Sequence, residues 1–392
     1  MVISVFVYGF LGIAPMVQLR ERAEISTTPG FIQDYAWQSV SVVLIGYGVF
    51  LIGSSVGKRQ ASPGPRFAGR IFELHGTSVL VTTLLAFLIS AYYVGSLGIG
   101  SLFQARTVLD IERAATWGNP TTAALITGFS QMGLLVATVA QILLFRQRRA
   151  KNETAPVILL IVTVALLLLL VNPVSSPRYT VGTVYVALVA ACGGWSSIRR
   201  YRSISIALLT SLFFLFPIAS TFRNSTDAKV KFGGPLEALL SGDFDSFYQI
   251  NNAIYFLAAK GITWGEQLLG VVLFWVPRDL WANKPVDTGI LLAQFREYSF
   301  TNLSAPLWAE LMVNGGWPLL IIGMVALGFF TRRWDERLQR EIELAGTPGV
   351  IGCIVPVYLL IVLRGSLLQS MASLSVILLF AWFSSFGRTA RR

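Results

Sequence analysis

Ten predominantly apolar stretches divide the chain, at roughly 2–19, 37–56, 72–97, 121–145, 155–172, 179–198, 203–222, 305–330, 350–364 and 366–386. Most approach the ~20 residues that an α-helix needs to cross the hydrocarbon of a bilayer. No other feature limits the fold as strongly. In hydrocarbon every backbone amide and carbonyl must be paired, and a single segment does this only as a helix. The expectation is an all-α polytopic integral membrane protein with about ten transmembrane helices, residues 1–392 forming one integral membrane domain. The first, fifth and ninth runs are short, and Pro356 makes the ninth irregular.

Composition agrees where it matters. Only 13% of the 392 residues are charged, about half the ~25% of a soluble domain. The net charge of +11 would suit nucleic acid, but the basic residues lie in short connections between apolar runs, as topology signals do. Lys58, Arg59, Arg66 and Arg70 form one cluster, and Arg146, Arg148, Arg149 and Lys151 a second. Arg199, Arg200 and Arg202 form a third, Arg332, Arg333, Arg337 and Arg340 a fourth, and Arg388, Arg391 and Arg392 end the chain. Together they hold more than half of the 31 lysines and arginines, always on alternate connections. With that side cytoplasmic, both termini are cytoplasmic too. Cys192 and Cys353 lie in apolar runs, which argues against a disulfide framework, and the single His75 has no partner histidines for a metal. The chain opens on MVISVFVYGFLGIAPMVQL, with no basic residue before it and no small-residue cleavage site after it, unlike a signal peptide.

Residues 223–304 then form one long outer loop of roughly eighty residues, far above the usual connection. FDSFYQINNAIYFLAAKG has the spacing of an amphipathic helix. The apolar piece 268–276 spans only ~13 Å as a helix, less than half a bilayer, and suits a re-entrant or interfacial segment. FWVPRDLWANKP follows at 274–285, putting Arg278, Asp279 and Lys284 among aromatics and prolines.

Further charges stand at the outer ends of the runs: Arg178 in NPVSSPRYT, Arg223 after the seventh run, and Arg364 in LLIVLRGSLLQS. Glu310 lies inside the eighth run, where an ionisable group faces a cavity or an opposite charge. Arginine forks match phosphate oxygens two at a time, so the set suits an anion such as a pyrophosphate without a metal. Glu310, raised in pKa by burial, would accept a proton from an attacking hydroxyl. The competing structural reading pairs Glu310 with Arg364 or Arg178 to hold helices together, and lets Arg178 and Arg364 snorkel to headgroups. Asp243 and Asp245 in DFD invite a divalent-cation reading, but Asp243 ahead of a helical pattern also suits an N-cap. GIGSLFQARTVLDIERAATWG, at 98–118, reads as a solvated amphipathic segment with Arg106, Asp110, Glu112 and Arg113 in helix pairs.

In order and spacing, NPVSSPRYT, GDFDSFYQINNAIYFLAAKGITWGEQLLGVVLFWVPRDLWANKP, LSAPLWAELMVNGGWPLL and VLRGSLL resemble the Wzy-type oligosaccharide repeat unit polymerases of O-antigens and capsules. Pro277, Arg278, Trp281, Lys284 and Pro285 carry the most specific part, with Glu310, Asn314 and Gly315 next. The likeness covers roughly 165–385. It implies a GT-C-like glycosyltransferase of the bacterial cytoplasmic (inner) membrane that joins undecaprenyl-pyrophosphate-linked oligosaccharides at the outer face. It further implies pyrophosphate contacts by Arg178, Arg278 and Arg364, with Lys284 and Arg223 beside them. Tyr179, Trp281 and Asn314 would line the substrate or its interface, and Glu310 or Asp279 would be the base. The partners implied are the lipid-linked oligosaccharide, the bilayer, a chain-length regulator and a flippase. Neither cofactor nor metal nor nucleic acid is implied. Asp279 departs from the pattern, where a small polar residue is usual, and family members often have one or more helices before the region resembling residues 1–20. An O-antigen ligase shares the reaction class. A polysaccharide or anion permease or flippase would use the same charges to line a path, but no internal repeat supports it.

Overall fold

The computed structural model describes residues 2–22, 25, 27–60, 74–118, 120–154, 157–197, 199–200, 203–204, 206–207, 239–278 and 280–385. Among them the chain is helical, apart from one isolated bridge between Ile25 and Thr28. The helices are α1 (Val2–Arg20), α2 (Ala36–Gln60), α3 (Gly76–Leu97), α4 (Arg106–Trp117), α5 (Thr122–Ala150), α6 (Val157–Leu170) and α7 (Arg178–Ala191). They continue as α8 (Ser246–Lys260), α9 (Glu266–Val272), α10 (Thr288–Phe295), α11 (Leu307–Ala345), α12 (Val350–Arg364) and α13 (Leu367–Ser385).

Six helices in the described residues are long and apolar enough to cross a membrane, the stretches Val2–Arg20, Gln33–Lys58, Gly76–Leu97, Thr122–Ala150, Leu307–Ala345 and Leu367–Ser385. The expected runs at 155–172, 179–198 and 350–364 form the shorter apolar helices α6, α7 and α12. Most of the run at 203–222 lies outside the described residues. Apolar side chains point outward along these helices: Ile158 is 80% exposed, Leu88 66% and Val81 65%. A surface of that kind is matched to hydrocarbon, not to water.

The chain divides into two compact units, each assembled from separated stretches. The first holds Met1–Pro63, Gly233–Arg337 and Leu359–Ala372. Its core begins on α1, whose VYGFLGI sequence widens into a π-turn at Val7–Ile13. Phe6 and Phe10 stack there at 5.2 Å, Phe10 stacks on Phe244 at 4.8 Å, and Phe6 meets the fully buried Trp308 at 6.0 Å. α2 crosses α11 through glycines. A Cβ on Gly53 would stand 2.1 Å from the Val325 carbonyl oxygen, and one on Gly328 would stand 2.1 Å from that of Phe50. Small residues of this kind let backbones approach where no hydrophobic drive operates.

α8 is the expected amphipathic helix, but it does not lie on a surface. Ser246 to Ile254 are buried without interruption. Part of its polar face is served by tertiary partners instead of water. Asn251 exchanges two hydrogen bonds with the Ile32 backbone, each 3.0 Å, and its Nδ2 also donates to Ser39 Oγ.

The second unit holds Gly64–Phe232, Leu338–Tyr358 and Ser373–Arg392. Its centre is α5, buried continuously from Leu134 to Leu143. A π-turn at Phe129–Gly133 brings Gly133 against the Phe380 ring, where a Cβ would lie 2.9 Å from a ring carbon. The amphipathic segment expected at 98–118 forms α4, with Asp110 paired to Arg106 and Arg113 as the spacing implied. It is docked as well as solvated: Leu109 is fully buried, and Arg113 donates to the hydroxyl of the buried Tyr93 at 2.6 and 2.8 Å.

Candidate functional site

Glycine and proline set the geometry of the first unit's polar interior. In LMVNGGWPLL the helix α11 breaks at Gly315–Gly316, and Gly316 takes φ +61° and ψ −151°, a conformation open essentially to glycine alone. Pro318 follows with no amide to donate. The break frees the Val313 and Asn314 carbonyls, which accept from the amides of Thr263 and Gly265, both at 2.9 Å. Asn314 Nδ2 donates to the Glu310 carbonyl at 2.8 Å, and its Oδ1 accepts from Leu268 N at 3.0 Å. Asn314 therefore seats α9 and its preceding turn onto the short half-helix that carries Glu310.

The Glu310 side chain is 1% exposed. Oε2 accepts from Thr288 Oγ1 at 2.5 Å and Oε1 from the Leu367 amide at 2.9 Å. The competing reading, in which Glu310 pairs with Arg364, is not what the structure shows. Arg364 Nη2 meets Asp245 Oδ1 at 3.4 Å, and the guanidinium also donates to the carbonyls of Asp243 (2.8 Å) and Gly242 (3.1 Å). Ser304 Oγ donates to Asp245 at 2.6 Å. Burial raises the Asp245 carboxyl above the ordinary aspartate range, against the opposing pull of Arg364 and Ser304. It is Asp245, not Asp243, that precedes α8, and its carboxylate caps no helix amide. A cation would thus compete with a guanidinium already at Asp245.

A third buried carboxylate completes the seam. Asp287 caps α10 by accepting from Ile290 N at 2.9 Å, and its Oδ2 accepts from Gln369 Nε2 at 2.6 Å. Burial raises its pKa, while the Ile290 and Gly289 amides and Gln369 draw it back. One short turn, residues 364–369 between α12 and α13, therefore reaches all three acids: Arg364 to Asp245, Leu367 to Glu310 and Gln369 to Asp287. On α8, Ser246 Oγ and Gln249 Nε2 are buried and have no hydrogen-bond partner among the described residues. The seam has bonding capacity to spare.

The stretch 274–285 is a loop clipped by its own cations. Lys284 Nζ donates to the carbonyls of Phe274 (2.7 Å) and Val276 (2.9 Å), while Arg278 donates to those of Lys284 (2.6 Å) and Pro285 (3.4 Å). Burial, and then the charge of Arg278, hold the Lys284 ammonium below the usual lysine range. Five guanidinium N–H groups are available to an arginine, so an exposed Arg278 with two carbonyl contacts retains donors for an anion. Trp281 is half-buried at the turn, whereas Trp264, Trp275 and Leu280 face outward, 86%, 66% and 82% exposed.

Eight of the expected site residues are thus placed. Arg278, Lys284, Trp281, Glu310, Asn314 and Arg364 belong to the first unit; Arg178 opens α7 in the second, next to Tyr179, whose carbonyl accepts from Thr183. Asp279 and Arg223 lie outside the described residues. Thr288, Ser304 and Gln369 had no signal of their own, because each acquires a role through a partner tens of residues away, whereas Asp287 also caps α10 locally through Ile290. No protein-family model, no curated protein and no solved structure matches this chain.

Proposed function

We propose that the chain is a polysaccharide polymerase that joins undecaprenyl-pyrophosphate-linked oligosaccharides at the outer face of a bacterial cytoplasmic membrane. The observation that carries this reading is Glu310. Its buried carboxylate is held by a hydroxyl and a backbone amide, on a half-helix fixed by a glycine break. A carboxylate so placed is oriented by neutral donors and remains able to take a proton. In the proposed step, an acceptor sugar hydroxyl attacks the anomeric carbon of the donor and gives its proton to Glu310. The new glycosidic bond forms as the bond from that carbon to the pyrophosphate oxygen breaks. The undecaprenyl pyrophosphate leaves with the electron pair, its charge met by the spare donors of Arg278. The outward tryptophans of the 264–281 segment suit the membrane interface, the depth at which a lipid pyrophosphate lies.

A permease reading would draw on the broken helix, because discontinuous helices line ion sites in transporters. Here the freed carbonyls of Val313 and Asn314 are already taken by Thr263 and Gly265, which favours a structural use of the break. A ligase remains the same chemistry with a different acceptor.

The deciding experiment supplies purified protein with lipid-linked repeat units and no nucleotide sugar. Wild type is expected to build a ladder of chain lengths, and Glu310→Gln, which keeps the shape and loses the base, to lose at least ~100-fold in rate. A wild-type ladder from Glu310→Gln would remove Glu310 from the chemistry. Transfer only to a foreign acceptor, with no ladder, would identify a ligase.

A further inference from the structure

In the second unit, helices α3, α5 and α6 enclose a cleft of about 260 Å³ that the polymerase reading does not use. Its walls are mainly apolar, from Leu80 on α3, Leu144 and Phe145 on α5, and Leu159 and Leu160 on α6, while the polar Thr83 and Gln141 in the lining are bonded to each other at 2.9 Å. Its flanks are the outward faces of the same helices, where Val81 is 65%, Ile158 80% and Ile161 61% exposed. A cleft bordered by such surfaces opens sideways into hydrocarbon.

One end is not apolar. The Arg148 guanidinium lines the cleft and lies against the first turn of α3, where a Cβ on Gly76 would stand 2.4 Å from Nη2. A side chain at that position would displace the guanidinium from where it now lies. Its one described acceptor is the Thr154 carbonyl, at a long 3.5 Å, so most of its five donors are uncommitted to that contact. Arg149 and Lys151 add positive charge at the same end of α5.

We propose that this cleft holds an acyl chain of an anionic glycerophospholipid, with the lipid phosphate on Arg148. Three observations select that occupant. The volume falls below the ~300–1,000 Å³ of sites that enclose a whole ligand, so the cleft takes part of a chain and not a glycolipid. The walls suit a hydrocarbon tail. The cation stands where the helix bundle ends, which is the depth of a headgroup, and basic pockets between spanning helices at the cytoplasmic side are suited to anionic headgroups. The inference needs the membrane-spanning reading of these helices but not the polymerase activity.

Native mass spectrometry of the full chain in detergent tests it, with phosphatidylglycerol and phosphatidylcholine of equal chain length as probes. Wild type is expected to retain one phosphatidylglycerol, about fivefold in preference to phosphatidylcholine. Arg148→Gln should abolish the preference, whereas Arg149→Ala, which removes the same charge from an exposed position, should keep it. Leu160→Trp, filling the cleft, should lose the bound lipid of either kind. Equal losses from Arg148→Gln and Arg149→Ala would reduce the effect to net charge and overturn the site. So would equal retention of the two lipids by wild type, or unchanged retention in Leu160→Trp. Displacement of the lipid by millimolar inorganic phosphate would show an ion site without a chain, and would overturn the proposal as well.

Discussion

At the scale of single residues, the buried acids define what can be changed. Asp287 has its pKa raised by burial above the ordinary value of 3.8. A carboxyl raised in the folded state contributes stability fully below the unfolded pKa, and that contribution is lost as pH rises through the folded one. Asp287→Asn removes this dependence while leaving an oxygen for the Ile290 amide. Thermal unfolding in detergent between pH 4 and pH 7 should therefore vary less for the variant than for wild type. An equal dependence in variant and wild type would show that Asp287 titrates normally in the fold. Arg278 makes the complementary case. Arg278→Lys keeps the charge but gives up the fork, and is expected to end long-chain polymer much as Arg278→Ala does, with protein levels in the membrane unchanged. Wild-type chain lengths on a polysaccharide gel would rule out a role for the fork.

Among elements, the broken helix α11 is the most exacting. Gly316 holds backbone angles that strain any other residue by about 1–3 kcal/mol. Gly316→Ala is expected to lower the melting temperature even though a Cβ there meets nothing closer than 3.6 Å, because the cost lies in the backbone angles themselves. Equal melting temperatures for wild type and Gly316→Ala would mean that the break is not imposed by backbone strain. The apolar runs that become helices were legible because hydrocarbon demands length and pairing within one segment. Glu310 was legible for the same reason, as an ionisable group inside such a run. The burial of α8 was not. Its Ser246, Gln249, Asn251 and Asn252 read as a wet face, and only Ile32 and Ser39, more than 200 residues away in sequence, turn part of that face into an interior one. The clipped loop at 274–285 shows a similar limit. Its charges announced a site, but the same charges hold the loop's own carbonyls, a use that composition does not reveal.

For the whole molecule, discontinuity is the governing property. Both compact units draw on early and late parts of the chain, and Gln18 on α1 donates to the carbonyls of Leu239 and Phe244. Sequence patterns report neighbours along the chain, so they reveal apolar spans but not which distant stretches share a core. The turn at 364–369 illustrates what this means for biogenesis. Three buried acids made by residues 245, 287 and 310 wait for partners from the α12–α13 hairpin, so the interior cannot be completed while that hairpin is still in the ribosome. A chain ending at residue 345 is expected to reach the membrane yet stay open to protease around residues 239–310, with protection restored by supplying 346–392 as a separate polypeptide. The α12–α13 junction thus works as an assembly checkpoint: the polar interior around Glu310 is sealed only after a stretch more than fifty residues further along the chain has been made.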